Sequence, residues 1–327
     1  MDDGKAGGMS AGAWAPGNEA LGVAAGIFVV LALASIAAWA LRRLVARGRP
    51  HAVIDNVATR VRSWWAIAAA VGLALLAGRT GTTLLFAVAS AIALWEFLPP
   101  GVKAGDERAM VLSSFLLLLP IPYSLVWMGA GDWLTVVFVA QAFVVLPAIA
   151  VLTGDAGNLQ QRLSPLQWGL MLCVLGISHV PALLTLPIPG FAGRNGLLLM
   201  FLLLVTQLGD VFQYLWGKAA GRNPLAPALS PFKTVEGAVG GVLSATALGA
   251  VLSWMTPFGL VWATLLALGV SLLGVLGGLV LSAIKRERGI KDWGTAIPGH
   301  GGMLDRLDSL CLSAPVFYYC AKLGWAA

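Results

Sequence analysis

The residues best suited to chemistry lie in one charged segment, residues 282–308, which reads SAIKRERGIKDWGTAIPGHGGMLDRLD. Asp305 and Asp308 are three residues apart, so on a helix their side chains share one face. Two carboxylates on one face can hold a hard cation such as Mg²⁺, and Asp292 offers a further ligand or a group that orients a base. These acids predict a divalent-metal site.

Glycines in the same segment indicate phosphate binding. Residues 299–302 read GHGG, and backbone N–H groups in such a turn can close around phosphate oxygens. A helix that begins just after the turn would add its N-terminal dipole. A basic segment resting on anionic lipid is the alternative interpretation. It explains Lys285, Arg286 and Arg288, but neither the glycine turn nor the paired acids.

A second polar segment, residues 207–241, follows an apolar stretch. Gln207, Asp210 and Tyr214 fall on one helical face, and an acid at such depth is costly, which predicts a functional role. The alternative is that Asp210 reaches the interface or caps a packing contact. The rest of the segment suits a triphosphate or a lipid phosphate. Its candidate binding residues are Lys218, Arg222, Asn223, Ser230, Lys233 and Glu236.

Other motifs give weaker signals. The sequence contains no GxxxxGKS/T or HExxH pattern, which weighs against P-loop ATPases and zinc proteases. A GxSxG match at residues 8–12 has no strand before it to form a nucleophile elbow, so we interpret it as chance. The three cysteines share no CxxC spacing and fall in apolar runs, which favours buried fillers over a zinc site or a disulfide.

The elements that position these residues belong in a membrane. Hydrophobic residues make up 58% of the 327 residues, charged residues only 11%, and the mean hydropathy is +0.84. A soluble domain averages about 25% charged residues. We therefore predict an all-α integral membrane protein, a polytopic bundle of about 9–10 transmembrane helices. The apolar stretches are 20–41, 64–78, 82–98, 110–129, 133–152, 167–187, 196–216, 238–256, 258–281 and 310–325.

Basic residues predict the orientation. Most Lys and Arg residues fall in loops that share one face, which the positive-inside rule places in the cytoplasm together with both polar segments. Anionic headgroups then account for the net charge of +6, and no nucleic-acid partner is expected.

The charge pattern also divides the chain. Residues 1–19 lack the basic region of a signal peptide and are expected to form a flexible tail. Residues 20–190 would form the N-terminal transmembrane helices. Residues 191–327 would form a catalytic core with cytoplasmic loops at about 217–237 and 282–309.

Both polar segments resemble the phosphatidate cytidylyltransferase family, the CDP-diacylglycerol synthases. The resemblance covers residues 196–325 by motif and the earlier residues only as hydrophobic spans. Matching positions in the charged segment are Ser282, Lys285, Arg286, Lys291, Asp292, Gly294, Pro298, His300, Gly301, Gly302, Asp305, Arg306 and Asp308. Those in the earlier segment are Gly209, Asp210, Tyr214, Gly217, Lys218, Ser230, Pro231, Lys233, Thr234, Glu236 and Gly237.

The resemblance implies a reaction of CTP with phosphatidate that gives CDP-diacylglycerol and pyrophosphate. It implies Mg²⁺ held by Asp305, Asp308 and Asp292, with a second cation (K⁺ or Mg²⁺) left open, and a membrane-embedded homodimer. In a bacterium the membrane would be the inner one. The catalytic residues it implies are Asp305, Asp308, Lys285, Arg286, Lys291, Arg306 and His300. The substrate-binding residues are Asp210, Lys218, Ser230, Lys233, Glu236, Ser282, Gly301 and Gly302.

Two departures from the family pattern indicate a divergent branch. Many bacterial members carry acids where this chain has Gly278 and Leu281, so one metal-binding acid is absent and Asp210 or Asp292 would have to replace it. Residues 211–213 replace the small residues that usually follow Asp210. The alternatives are a cytidylyltransferase or CTP-dependent kinase for another lipid and a catalytically silent lipid-binding paralogue. A transporter is disfavoured because the charges avoid the midplane.

Overall fold

The computed structural model describes residues 18–44, 52–100, 102, 108–153, 158–297, 299 and 301–326. Each predicted apolar stretch corresponds to one long helix of this part of the chain, which confirms an all-α polytopic fold. The helices are α1 (Asn18–Leu44), α2 (Ala52–Leu76), α3 (Gly78–Phe97), α4 (Arg108–Met128), α5 (Gly131–Leu152), α6 (Leu159–Thr185), α7 (Asn195–Ala220), α8 (Val235–Val251), α9 (Gly259–Glu287) and α10 (Leu304–Trp325). Helices α4, α5 and α6 each contain a π-helical segment.

Seven of these helices are long and apolar enough to cross a membrane: α1, α3, α4, α5, α6, α7 and α9. Large apolar side chains on them face outward; Phe28, Leu116 and Trp262, for example, are more than half exposed. Such a surface is stable against lipid but not against water. The chain is therefore an integral membrane protein.

The last four helices pack closely because glycines remove side chains from their contacts. A Cβ atom on Gly241 would overlap the backbone and side chain of Gln213 in α7, and one on Gly249 would overlap Ala267 in α9. A Cβ atom on Gly277 would likewise overlap the carbonyl oxygen of Asp308 in α10. Small residues at these positions let membrane helices approach each other, which brings the carboxylate of α10 beside α7 and α9.

A short antiparallel hairpin joins α7 to α8, where the sequence predicts only a loop. Its strands are β1 (Pro224–Ala226) and β2 (Ser230–Thr234), with Ala226 opposite Ser230. At its end the Thr234 hydroxyl accepts a hydrogen bond from the Gly237 N–H at 3.1 Å, which caps the N-terminus of α8. The hairpin holds β2 next to the ends of α7 and α9.

Candidate active site

A cavity of about 840 Å³ lies between α2, α7, the hairpin with the start of α8, and α10. Its wall combines acids, bases and aromatic rings, and it joins the two polar segments that the sequence analysis placed on one face. The charged residues that line it are Arg60, Asp210, Lys218, Lys233, Asp305, Arg306 and Asp308. Six of these seven are predicted site residues. A volume of this size suits a ligand as large as a nucleotide.

Both carboxylate oxygens of Asp305 accept hydrogen bonds from the protein. Its Oδ1 atom accepts a hydrogen bond from the Lys285 ammonium at 2.8 Å, and the two side chains are only 8% and 12% exposed. Its Oδ2 atom accepts from the backbone N–H groups of Trp293 and Gly302, both at 2.9 Å. Both oxygens therefore hold the loop between α9 and α10 against the ends of these two helices.

Asp308 pairs with Asp210 instead, across the contact between α10 and α7. The Ser309 hydroxyl lies 2.7 Å from Asp210 Oδ2 and 3.4 Å from Asp308 Oδ1, so the two carboxylates flank one small side chain. Asp308 Oδ1 also accepts from the Ser309 N–H at 2.8 Å, and Asp210 Oδ1 from Gln213 Nε2 at 3.1 Å. Two acids this close and this deep repel each other unless one of them is protonated or a positive charge lies between or beside them.

Lys233 supplies positive charge beside this pair. A Cβ atom on Gly278 of α9 would lie 2.7 Å from Lys233 Nζ and 3.5 Å from Asp308 Oδ2. The missing side chain at Gly278 thus leaves room for an ammonium group, at the position where the resemblance indicated an absent acid. Among the described residues, no group of three or more His, Cys, Asp or Glu residues is arranged to hold a metal. Of the three acids that line the cavity, Asp210 and Asp308 are the two that lie side by side.

Some backbone N–H groups in and just after the glycine turn are already bonded in the structure. The Gly302 N–H donates to Asp305, and the N–H groups of Met303 and Leu304 donate to the Glu96 carboxylate at 3.0 and 2.9 Å. The helix begins just after the glycine turn, as predicted. Its first N–H groups contact carboxylates of the protein itself, and phosphate binding by the rest of the turn stays a prediction.

Several predicted residues lie outside the cavity wall. Arg286, at the end of α9, donates to the carbonyl oxygens of Leu229 and Ile290, both at 3.0 Å. It thereby links the hairpin to the loop that follows α9. The Ser282 hydroxyl donates to the Gly278 carbonyl oxygen within α9 at 2.6 Å. Lys291 and Asp292 are exposed within the charged segment. His300 lies outside the described residues.

Glu236, Ser230 and Gly301 shape the surroundings of the cavity. The Glu236 carboxylate accepts hydrogen bonds from the N–H groups of Arg222 and Asn223, and these bonds lower its pKa to about 2. Ser230 forms the first residue of β2. Gly301 has φ +84°, and a Cβ atom there would lie 2.8 Å from Asp305 Oδ2. The substrate-binding roles of these three residues stay predictions.

Sequence reasoning missed residues from the N-terminal half. Arg60 and Trp64, one turn apart on α2, line the cavity, and a Cβ atom on Gly299 would lie 3.0 Å from Thr59 Cγ2 on the same helix. Glu96 at the end of α3 bonds the first turn of α10. An acid inside an apolar helix is costly, so the reasoning that identified Asp210 would also have identified Glu96.

Known proteins resemble this chain over most of its length. A model described as "Cytidylyltransferase family" matches residues 58–323. An uncharacterized protein of Escherichia coli K12, YnbB, is 34% identical over 294 residues, which are 90% of this chain and 95% of that protein. A phosphatidate cytidylyltransferase of Staphylococcus haemolyticus is 32% identical over 74% of this chain and 90% of its own length.

A third relative has the same name as the second and matches a somewhat longer part of this chain than the second does. A phosphatidate cytidylyltransferase of Staphylococcus aureus strain COL is 30% identical over 272 residues, which cover 79% of this chain and 96% of that protein. Residues 58–323, which the family model matches, contain the cavity and both polar segments. The membrane fold, the paired acids and these matches together show that the chain belongs to the cytidylyltransferase family.

Proposed function

We propose that this protein is a Mg²⁺-dependent phosphatidate cytidylyltransferase of phospholipid synthesis. A phosphate oxygen of phosphatidate attacks the α-phosphorus of CTP, the bond to the β-phosphate oxygen breaks, and CDP-diacylglycerol and pyrophosphate result. The observation that supports this proposal is the cavity, where Asp210 and Asp308 lie among Lys218, Lys233 and Arg306. Carboxylates with surrounding cations are the groups that phosphoryl-type transfer requires.

Asp308 and Asp210 are the residues that would hold Mg²⁺. They fit it because hard cations prefer carboxylate oxygens, and because these two acids otherwise lie side by side at a helix contact. Bound there, Mg²⁺ would neutralise the negative charge of the phosphates. Asp305 also lines the cavity and accepts hydrogen bonds from Lys285 and the loop backbone, and its role as a metal ligand, like that of Asp292, stays a prediction. Whether a second cation binds stays a prediction.

The bases of the cavity have a separate task. Lys218, Lys233 and Arg306 would bind phosphate oxygens through charge-assisted hydrogen bonds. Among the described residues that line the cavity there is no Cys, His or Ser. A direct displacement that relies on positioning and charge neutralisation suits this composition.

Some of the residues that line the cavity are exposed aromatic or aliphatic side chains. Tyr214, Leu215 and Phe232 line it and are 58%, 52% and 86% exposed. Aromatic and aliphatic groups of this kind suit the boundary between headgroups and acyl chains. The acyl chains of the lipid would stay in the membrane while the nucleotide enters from the cytoplasm. The cytoplasmic location of the site, the bacterial inner membrane and the homodimer remain parts of this proposal.

A direct assay tests the proposed reaction. The purified protein in detergent is given CTP, Mg²⁺ and phosphatidate, and we expect equal amounts of CDP-diacylglycerol and pyrophosphate. Product from another lipid phosphate but not from phosphatidate would support the second candidate, cytidylyl transfer to a different lipid. Val211 and Gln213, which depart from the family pattern, line the cavity and favour that alternative. No product from any lipid phosphate would indicate a silent paralogue.

Arg60 allows a sharp test of phosphate binding in the cavity. We expect Arg60→Ala to lower kcat/KM by about 10- to 100-fold, because a hydrogen bond to a charged group contributes roughly 1.5–3 kcal/mol. Arg62→Ala is the matched control, since Arg62 lies on the same helix but bonds the Ala58 carbonyl oxygen and is not among the residues that line the cavity. Equal losses in steady-state kinetics of the two variants would contradict the role of Arg60.

A further inference from the structure

Glu96, at the end of α3, contacts the segment that carries the site acids. Its Oε1 atom accepts a hydrogen bond from the Met303 N–H at 3.0 Å, and its Oε2 atom accepts from the Leu304 N–H at 2.9 Å. These N–H groups lie at the start of α10, where backbone N–H groups have no hydrogen-bond partner within the helix. A carboxylate at a helix N-terminus also complements the helix dipole. One side chain from the N-terminal half thus fixes the start of the helix that carries Asp305 and Asp308.

Two glycines of the charged segment provide the space for this carboxylate. A Cβ atom on Gly294 would lie 2.7 Å from Glu96 Oε1, 3.0 Å from its Cδ and 3.2 Å from its Cγ. A Cβ atom on Gly302 would lie 2.5 Å from Glu96 Oε2 and 2.8 Å from the Gly294 nitrogen. The three nearest atoms at Gly294 all belong to Glu96, so the glycine there is explained by this one side chain.

The residue after Glu96 strengthens the same contact. The Phe97 ring stacks on the Trp293 ring with 5.1 Å between their centres. The Arg288 guanidinium lies 4.4 Å from the centre of the Phe97 ring and donates a hydrogen bond to the Phe97 carbonyl oxygen. Both sides of the charged segment are therefore attached to the end of α3.

We infer that Glu96 is a positioning residue for the transfer reaction, acting through the first turn of α10. By bonding Met303 and Leu304 it sets the depth and rotation of the helix, and thereby the place of Asp308 beside Asp210. Gly294 leaves the space that the Glu96 side chain occupies, so the two positions depend on each other. The consequence for catalysis rests on the proposed function, whereas the coupling of Glu96 to α10 does not.

A double-mutant cycle tests this dependence. We expect Glu96→Ala and Gly294→Ala each to lower kcat by about 100-fold, since a misplacement of about 1 Å can cost that much. Because the three atoms nearest to an added methyl group at Gly294 all belong to Glu96, the double variant should lose no more activity than Glu96→Ala alone. Gly269→Ala is the matched control, because no atom lies within 4 Å of the added Cβ. Losses that multiply in the double variant would overturn the inference.

Two further measurements separate positioning from mere folding. Glu96→Gln keeps the size of the side chain but places an N–H₂ group against one of the two N–H donors, so its activity should fall between wild type and Glu96→Ala. The KM for CTP should change far less than kcat. Independently of activity, hydrogen exchange at Met303 and Leu304 should accelerate in Glu96→Ala and not in Gly269→Ala. Unchanged exchange would overturn the inference even if the protein has another substrate.

Discussion

Replacing Asp308 with Asn is expected to reduce CDP-lipid formation by about 100- to 1,000-fold, the equivalent of several kcal/mol of lost charge stabilisation. The physical reason is that Asp308 and Asp210 are the carboxylates proposed to hold Mg²⁺, and Asn brings no negative charge. The substitution preserves size, and Asn can still accept the hydrogen bond from the Ser309 N–H. The thermal unfolding temperature in detergent should therefore change little while activity is lost.

Asp132→Asn is the matched control for that experiment. Asp132 undergoes the same chemical change, but its side chain is 74% exposed and paired with Lys322 at the other end of α10. Its activity should equal that of the wild type. The Mg²⁺ titration gives a second readout, because Asp308→Asn should need more Mg²⁺ for half of its residual activity. An Asp308→Asn variant with wild-type activity and Mg²⁺ dependence would disprove the proposed metal role.

Replacing Asp305 with Asn should instead destabilise the protein. The substitution leaves the Lys285 ammonium in a buried position without its charged partner, and breaking one side of a buried ion pair costs about 3–5 kcal/mol of unfolding free energy. We expect a clear decrease in the thermal unfolding temperature as well as lost activity. Inactivity of this variant alone would therefore not identify a metal ligand, unlike that of Asp308→Asn.

The control is an ion pair of equal length in an exposed position. Arg194 and Glu19 also approach to 2.8 Å, but their side chains are 40% and 49% exposed. Glu19→Gln should cost less than about 1 kcal/mol. The Lys285→Met, Asp305→Asn double variant, with neither charge left, should lose less stability than the sum of the single variants. Strictly additive losses would show that the two side chains do not act as a pair.

The sequence predicts the helices well because long apolar runs have few alternatives in a membrane. Helix α2 shows where this reasoning stops: the apolar stretch begins at residue 64, yet the helix begins at Ala52. Its first turns carry Asp55, Arg60 and Arg62, and these charged residues keep the first turns out of a stretch defined by hydropathy. Those polar turns extend the helix to the cavity and bring Arg60 into its wall.

The sequence identifies most residues of the candidate site, but it does not show which residues they contact. The spacing of Asp305 and Asp308 correctly places both on the start of one helix, but it cannot show that the preceding loop folds back onto Asp305. That fold leaves Asp308 as the acid beside Asp210. Glu96 has its partners more than 200 residues away, and no local pattern carries such information.

The bond between Glu96 and Met303 also has a consequence for the synthesis of the chain. The two residues are separated by 207 positions. At roughly 5–20 residues per second, the ribosome needs on the order of 10–40 s to cover that distance. During this interval α3 has entered the membrane, but the N–H groups that donate to its Glu96 carboxylate have not yet been synthesised. The proposed site can therefore assemble only after α10 has been made, so we expect a chain that stops before α10 to be inactive.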